Sequence, residues 1–265
     1  MLLFISPAKT QHPDPRIAEG GKYTQPLFPE QIRQLVEYLK PLNQDQLRKL
    51  MKISKPLAEA TFQKYQDFQF PFTPGNSGRS LFMFRGDQFK SMAVDDYSPE
   101  QLDHCQHHLR ILSGLFGMLR PLDLMQPYRL EMAAGISVDK TKKLYEFWSE
   151  AVTREINKEL SSHQYPLVVN MASAEYFKVI SKKQLQARLL TLSFKQIHKG
   201  KLKTIAIYAK RARGAMVDFV MKNHISLPED MQQFDRDGYA YDADLSSDQE
   251  WVFVCRKHGK KQASG

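Results

Sequence analysis

A chain of 265 residues and 30.7 kDa, 42% hydrophobic and 25% charged, is long enough for a sizeable core and has the composition of a globular protein rather than a disordered or fibrous one. Its formal net charge of +9 and pI near 9.4 favour acidic partners, whether nucleic acid, anionic lipid or phosphorylated small molecules. The two cysteines, Cys105 and Cys255, lie far apart and outside any paired motif, which argues against a disulfide framework or a CxxC redox or zinc site and fits a reducing cytoplasm.

The N-terminal LLFIS reads as a buried strand. MLLFIS is too short for a secretion signal and lacks its basic flank, and no apolar run approaches membrane-spanning length, so a soluble cytoplasmic protein without membrane partners is expected. PAKTQHPDP follows as a proline-rich loop. Residues 28–68 read as mainly helical: FPEQIRQLVEYLK sets Ile32, Leu35, Val36 and Leu39 on one face, NQDQLRKLM opens on an Asn43 cap, and KPLAEATFQKYQDF continues the pattern. FPFTPGNSG breaks the chain, SLFMF reads as a short strand, and RGDQF leads to a helix with Ser98 as cap, Pro99 at its first position and Gln101 closing a capping box. Leu102, Cys105, Leu109, Leu112, Phe116 and Leu119 form a stripe at helical spacing that carries this helix to Gly114 and Gly117.

Residues 141–160 read as a helix and PLVVNM as an apolar strand. RLLTLSFKQI and LKTIAIYA read as two strands about the hairpin signal HKGK, followed by a helix from Lys210 to Asn223. An acidic, loop-rich segment, a strand at WVFVC and a tail expected to fray over 258–265 complete the chain. Helices and strands alternate without repeats or low-complexity linkers, so the expected fold class is α/β, or mixed α+β, in a single compact domain over 1–257.

Charge separates along the second half. Between Glu175 and Asp218 there is no acidic residue, while eleven cations intervene, among them Lys178, Lys195, Lys199, Lys201, Lys203, Lys210, Arg211 and Arg213. Beyond Asp218 the acids gather, so one anion-seeking face is expected. The scattered lysines equally suit a solubilising surface. AKRARG is different, because three cations at the start of a predicted helix oppose its dipole, a conflict that a bound anion, or pairing with the acidic C-terminal segment, relieves.

Three predicted strands lead into polar residues: LLFIS into Lys9, PLVVNM into Ser173, Glu175 and Tyr176, and TIAIYA into Lys210 and Arg213. If they are parallel neighbours, their carboxyl ends meet at one edge and gather Lys9, Asn170, Ser173, Glu175, Lys178, Lys210 and Arg213. Such a cleft holds a phosphodiester backbone, or it places Glu175 as a general base with Ser173 or Tyr176 orienting a nucleotide, nucleoside or nucleic-acid substrate. SPAKT lacks the glycines of a P-loop, and no GxGxxG or GxSxG occurs. No cofactor is indicated. In HCQHH, His104 and His107 project opposite the apolar stripe toward solvent, which reads as an exposed polar face rather than a metal site. LSGLFGMLRPLD supplies a helix, Gly114, Gly117 and Arg120, the parts of a helix-hairpin-helix element in which turn glycines let amides approach phosphate, although its glycines are widely spaced and Pro121 interrupts a second helix.

ISPAKT (5–10), LRILSGLFGMLRPLDLMQPYRLEM (109–132), NMASAEYFK (170–178) and YAKRARGAM (208–216) together resemble the YaaA-type peroxide stress-resistance proteins, in the family's order and over nearly the whole chain. The resemblance implies a cytoplasmic bacterial DNA-binding protein of the peroxide response that limits iron-linked damage. It also implies an unusual α/β fold with a basic cleft and a helix-hairpin-helix element. Carried over by motif, Lys9, Lys178, Lys210 and Arg213, with Arg211 beside them, belong to the cleft, and Gly114, Gly117 and Arg120 to the hairpin. The expected partner is double-stranded or branched DNA held by its phosphates; a phosphorylated small molecule is the alternative.

Overall fold

The computed structural model describes residues 1–14, 17, 20–138, 141–198 and 200–256. Leu2–Ile5 form β1, buried at every position, and Thr10–Gln11 form β2. Three helices follow as the apolar spacing predicts: α1 (Pro29–Leu39), α2 (Gln44–Met51), capped by Asn43, and α3 (Lys55–Gln66). Then come the short elements β3 (Gly78–Arg79), α4 (Ser80–Met83), β4 (Phe84–Arg85) and α5 (Asp87–Lys90). Helix α6 (Pro99–His108) opens on the predicted box, in which Ser98 accepts from the Gln101 amide and Gln101 accepts from that of Ser98. The chain continues through β5 (Leu109–Ser113), β6 (Gly117–Leu119), β7 (Leu124–Met125), α7 (Leu144–Leu160), β8 (Leu167–Asn170) and α8 (Ala174–Phe177). It ends with β9 (Arg188–His198), β10 (Lys201–Lys203), α9 (Ala206–Lys222), β11 (Tyr239–Asp242) and β12 (Glu250–Cys255).

The fold is mixed α/β, as expected. One large sheet has the order β11-β12-β9-β8-β1-β5-β6, with β10 added on β9. From β12 to β5 neighbouring strands are parallel; β6, β10 and β11 pair antiparallel. β1, β5, β8 and β12 are almost wholly buried runs, as strands covered on both faces are, whereas β9 alternates buried and half-buried positions. From β1 the chain places β5 on one side and later β8 on the other, so the strand order reverses at β1. The crevice at the carboxyl ends of β1 and β8 is therefore the topological switch point, where open α/β sheets take their ligands. β9 outruns that edge: Thr191 is level with Asn170, and the strand continues to His198, roughly 20 Å further at about 3.3 Å per residue.

Three elements differ from the sequence reading. The helix expected to reach the glycines stops at His108, and residues 109–119 become a β-hairpin, with Leu3 paired to Leu109 and Ile5 to Ile111. A largely apolar stretch, broken by Arg110, Ser113 and two glycines, satisfies either periodicity; here sheet pairing decides it. SLFMF is not a strand but a helical turn with Phe84 entering β4, and the amides of Ser80 and Leu81 bond to the carbonyls of Asp123 and Pro121 at 2.9 and 3.0 Å. In LKTIAIYA only Lys201–Lys203 is strand, and helix begins at Ala206. Ala209, Ala212 and Met216 sit inward at helical spacing, and alanine is the strongest helix former. The acidic segment also hides a strand, β11, beside the predicted WVFVC strand. The tail 258–265 lies outside the described residues.

Candidate functional site

The switch-point crevice is built by backbone turns fixed through short polar side chains. Met171 N–H donates to the Phe4 carbonyl at 2.9 Å, holding β8 to β1 to their last residues. Asn170 Oδ1 accepts from Ala172 N–H at 2.9 Å, an Asx-type turn. Ser6 Oγ accepts from Ser173 N–H at 2.9 Å and donates to Ser173 Oγ at 3.3 Å, so the two strand ends are stitched by a serine pair. Ser173 is thereby occupied with positioning.

A second segment, Tyr128 to Glu131, crosses this edge. Gln11 Oε1 accepts from Tyr128 N–H at 2.8 Å, Tyr65 Oη donates to the Arg129 carbonyl at 2.8 Å, and Tyr128 and Ser113 share a hydroxyl hydrogen bond of 2.7 Å. Glu131 bonds to both Arg129 (3.0 Å) and Lys9 (3.1 Å). Lys9, Tyr128, Glu131 and Tyr176 line a shallow cleft there. Burial pushes the Tyr128 and Tyr176 phenols up, and the nearby charge of Glu131 adds to both. Tyr176 therefore stays protonated at neutral pH and is not available as a base.

Glu175 is exposed and accepts from the Ala133 amide at 3.3 Å. It lies near Tyr145, whose phenol is raised by partial burial and by that carboxylate. Lys178 Nζ stands 5.0 Å from the centre of the same ring. Glu175 and Lys178 thus flank one tyrosine at the β8 side of the crevice, while Lys9 occupies the β1 side.

The remaining cations connect to Lys9 through a bridge of short elements. Thr10 pairs with Arg85 across β2 and β4, and a Cβ on Gly86 would stand 3.3 Å from that of Ala8. Asp87 then pairs with Arg211 at 3.6 Å. Further along, a Cβ on Gly214 would fall 1.9 Å from the Gln88 carbonyl oxygen, so α9 lies directly on α5. Lys210 is exposed and makes no ion pair among the described residues. Arg213 is half-buried; its Nε has no hydrogen-bond partner among the described residues, and burial lowers its pKa. These three cations are not at the helix start but four or more residues inside it, beyond the first turn where the dipole acts. The electrostatic conflict read from the sequence is absent, and the ion pair seen here goes to Asp87 rather than to the acidic C-terminal segment.

Arg120 is turned inward. Its guanidinium bonds to Asp123 at 2.8 and 3.0 Å and to the Gln25 carbonyl at 2.8 Å. Gly114 and Gly117 turn between strands, not helices, and both are buried: the Gly114 carbonyl accepts from Trp148 Nε1 at 2.9 Å, and a Cβ on Gly117, at φ +67°, would stand 2.6 Å from the Trp148 ring. Sequence reasoning missed Arg85, Arg129 and Glu131, which only tertiary pairing brings beside Lys9. Lys199 lies outside the described residues.

Of the two histidines expected at the surface, His107 is exposed and His104 is not. His104 is half-buried, stacked 4.2 Å from His108 and 5.3 Å from His224, and His108 stands 5.3 Å from His163. Burial is the main cause holding His104, His108 and His163 down to about 4. No group of three metal-ligating side chains converges among the described residues. No described helix is long and apolar enough to cross a membrane.

Together these features define a mixed α/β protein whose parallel sheet carries a polar, cation-bearing carboxyl edge. Residues 1–245 match the family described as peroxide stress protein YaaA, and the chain belongs to that family. It is 46% identical over 256 residues to a UPF0246 protein of Acaryochloris marina (strain MBIC 11017), covering 97% of this chain and 100% of that one.

Proposed function

We propose that this chain serves the peroxide response by binding double-stranded or branched DNA through its phosphates, largely without reading base sequence, and so limits iron-linked oxidative damage. The supporting observation is the linkage of cations at the carboxyl edge: Lys9 and Lys178 flank the switch point, and the β2/β4 pairing and α5 carry the series on through Arg85 to Arg211 and Lys210. Phosphate contacts fix position on a duplex but carry no sequence information. Two mixed-sequence duplexes of equal length, alike in their content of flexible pyrimidine–purine steps, are therefore expected to bind with affinities within about threefold of each other at equal salt. A hundredfold preference for one of them, or no binding to either, contradicts the reading.

An enzymatic alternative rests on one observation, the exposed Glu175 carboxylate standing beside Tyr145 and Lys178. It requires turnover of a nucleotide, nucleoside or nucleic acid that Glu175→Gln abolishes while binding persists.

A further inference from the structure

The longest strand ends in an unusual surface. Among the described residues, the pairing of β12 with β9 ends at Cys255 and Gln196, and β10 alone accompanies β9 beyond that point. Ile197 and Leu202 are directly opposed there and are 40% and 42% exposed. Ile207 and Tyr208, at the start of α9, are exposed to a similar degree, so four of the eight exposed large apolar side chains among the described residues fall between positions 197 and 208. Singly scattered apolar residues need no explanation; the directly opposed, exposed pair Ile197 and Leu202 points to an interaction site.

The charge around the cluster selects the partner. Side chains alternate along strands, so Lys195 shares a face with Ile197 and Leu202, while Lys201 and Lys203 lie on the other face, opposite His198 and Gln196. Lys195 approaches Glu250 at 3.9 Å, but Lys201 and Lys203 make no ion pair among the described residues. Lysines on a short edge strand also guard against unwanted strand pairing. That role alone does not account for two aliphatic side chains displayed on the ribbon's opposite face. A second copy of the chain would bring like charges together. An anionic bilayer would receive only a few aliphatic side chains, each contributing about 1.5–3 kcal/mol on burial. A nucleic-acid duplex offers both phosphates for the lysines and an apolar base stack for the aliphatic pair, and its major groove admits a two-stranded β-ribbon.

We infer that the β9–β10 ribbon enters a groove of duplex DNA, with Ile197 and Leu202 pressed against a base step, Lys195 beside them on the same face, and Lys201 and Lys203 reaching the flanking phosphates from the ribbon's other face. The ribbon rises from the same sheet edge as the switch-point cations, so phosphate grip and base-step contact act on one bound duplex. The inference rests on the DNA-binding reading and adds a specific consequence: affinity depends on how readily the contacted step unstacks, not on its hydrogen-bonding groups.

The test uses the full chain and a duplex carrying 2-aminopurine at a TA step, compared with a stiff A-tract duplex labelled likewise. The native protein is expected to raise the fluorescence of the TA duplex and to bind it about tenfold more tightly than the A-tract duplex. Ile197→Ala/Leu202→Ala, both exposed and so compatible with folding, is expected to lose the fluorescence rise and the preference while keeping its salt dependence. Lys201→Glu/Lys203→Glu is expected to lower the salt slope by about two units. Equal fluorescence and equal preference in the alanine variant overturn the inference while leaving DNA binding intact. Absence of any duplex binding by the native protein overturns both. Binding to vesicles of phosphatidylglycerol that the alanine variant abolishes, with duplex binding unchanged, assigns the ribbon to a lipid surface instead.

Discussion

A side chain on Gly114 would stand 2.3 Å from the carbonyl oxygen of Leu130, so the turn after β5 is the floor over which residues 128–131 cross the sheet edge. The neighbour is backbone and cannot rotate away. Gly114→Ala is therefore expected to lower stability by about 1–3 kcal/mol, the usual scale of overpacking. Gly135→Ala, where nothing lies within 4 Å, is the matched control. Urea denaturation of both variants checks this; equal midpoints refute it.

The glycine also shows what the sequence could and could not disclose. The strands LLFIS and PLVVNM and the helix caps at Asn43 and Ser98 were legible because each depends on a local pattern; that the two strands lie parallel was a condition of the reading, which the sheet pairing meets. The course of 109–119 was not, because a largely apolar stretch broken only by Arg110, Ser113 and two glycines fits a buried strand as well as a helix, and pairing with β1 decides. Of the cleft residues, Lys9 and Lys178 could be found as polar continuations of strands. Arg85 and Arg129 could not, since a two-residue strand and a crossing loop leave no periodic trace. Arg120 misled for a related reason: its carboxylate partner, Asp123, lies three residues on, in the turn that the arginine closes.

Asp14 and Arg79 form a buried two-point pair, with contacts of 2.7 and 3.2 Å and side chains 0% and 6% exposed. Arg79 also lies 4.3 Å from the centre of the Phe82 ring. Removing one charge strands the other in a poorly solvated site. Asp14→Asn is expected to cost about 3–5 kcal/mol, whereas Asp14→Leu/Arg79→Met, which removes both charges, is expected to cost less than the single change. Thermal and urea unfolding distinguish the two; a larger loss in the double variant contradicts the account.

The histidine ladder makes stability depend on pH. His104, His108 and His163 have folded-state values near 4, below their ordinary value of 6.5, chiefly through burial. The unfolded chain therefore takes up protons first as pH falls. Their contribution is complete above about pH 6.5 and declines as pH drops toward 4. The urea midpoint is expected to fall between pH 7 and pH 4.5, and His104→Gln/His108→Gln is expected to show a shallower fall. An unchanged pH profile in that variant removes the ladder from the explanation.

In the proposed DNA binding, cations from separate parts of the chain act together on one polyanion. Fluorescence anisotropy of a labelled duplex, titrated at a series of salt concentrations, measures this directly, because each phosphate neutralised contributes about −0.9 to the slope of log K against log salt. Lys9→Glu/Lys178→Glu, changing two side chains on opposite sides of the switch point, is expected to make that slope shallower by about two units and to weaken binding to unrelated duplexes alike. A slope and affinity equal to those of the native chain would contradict the claim and remove the carboxyl edge from DNA binding.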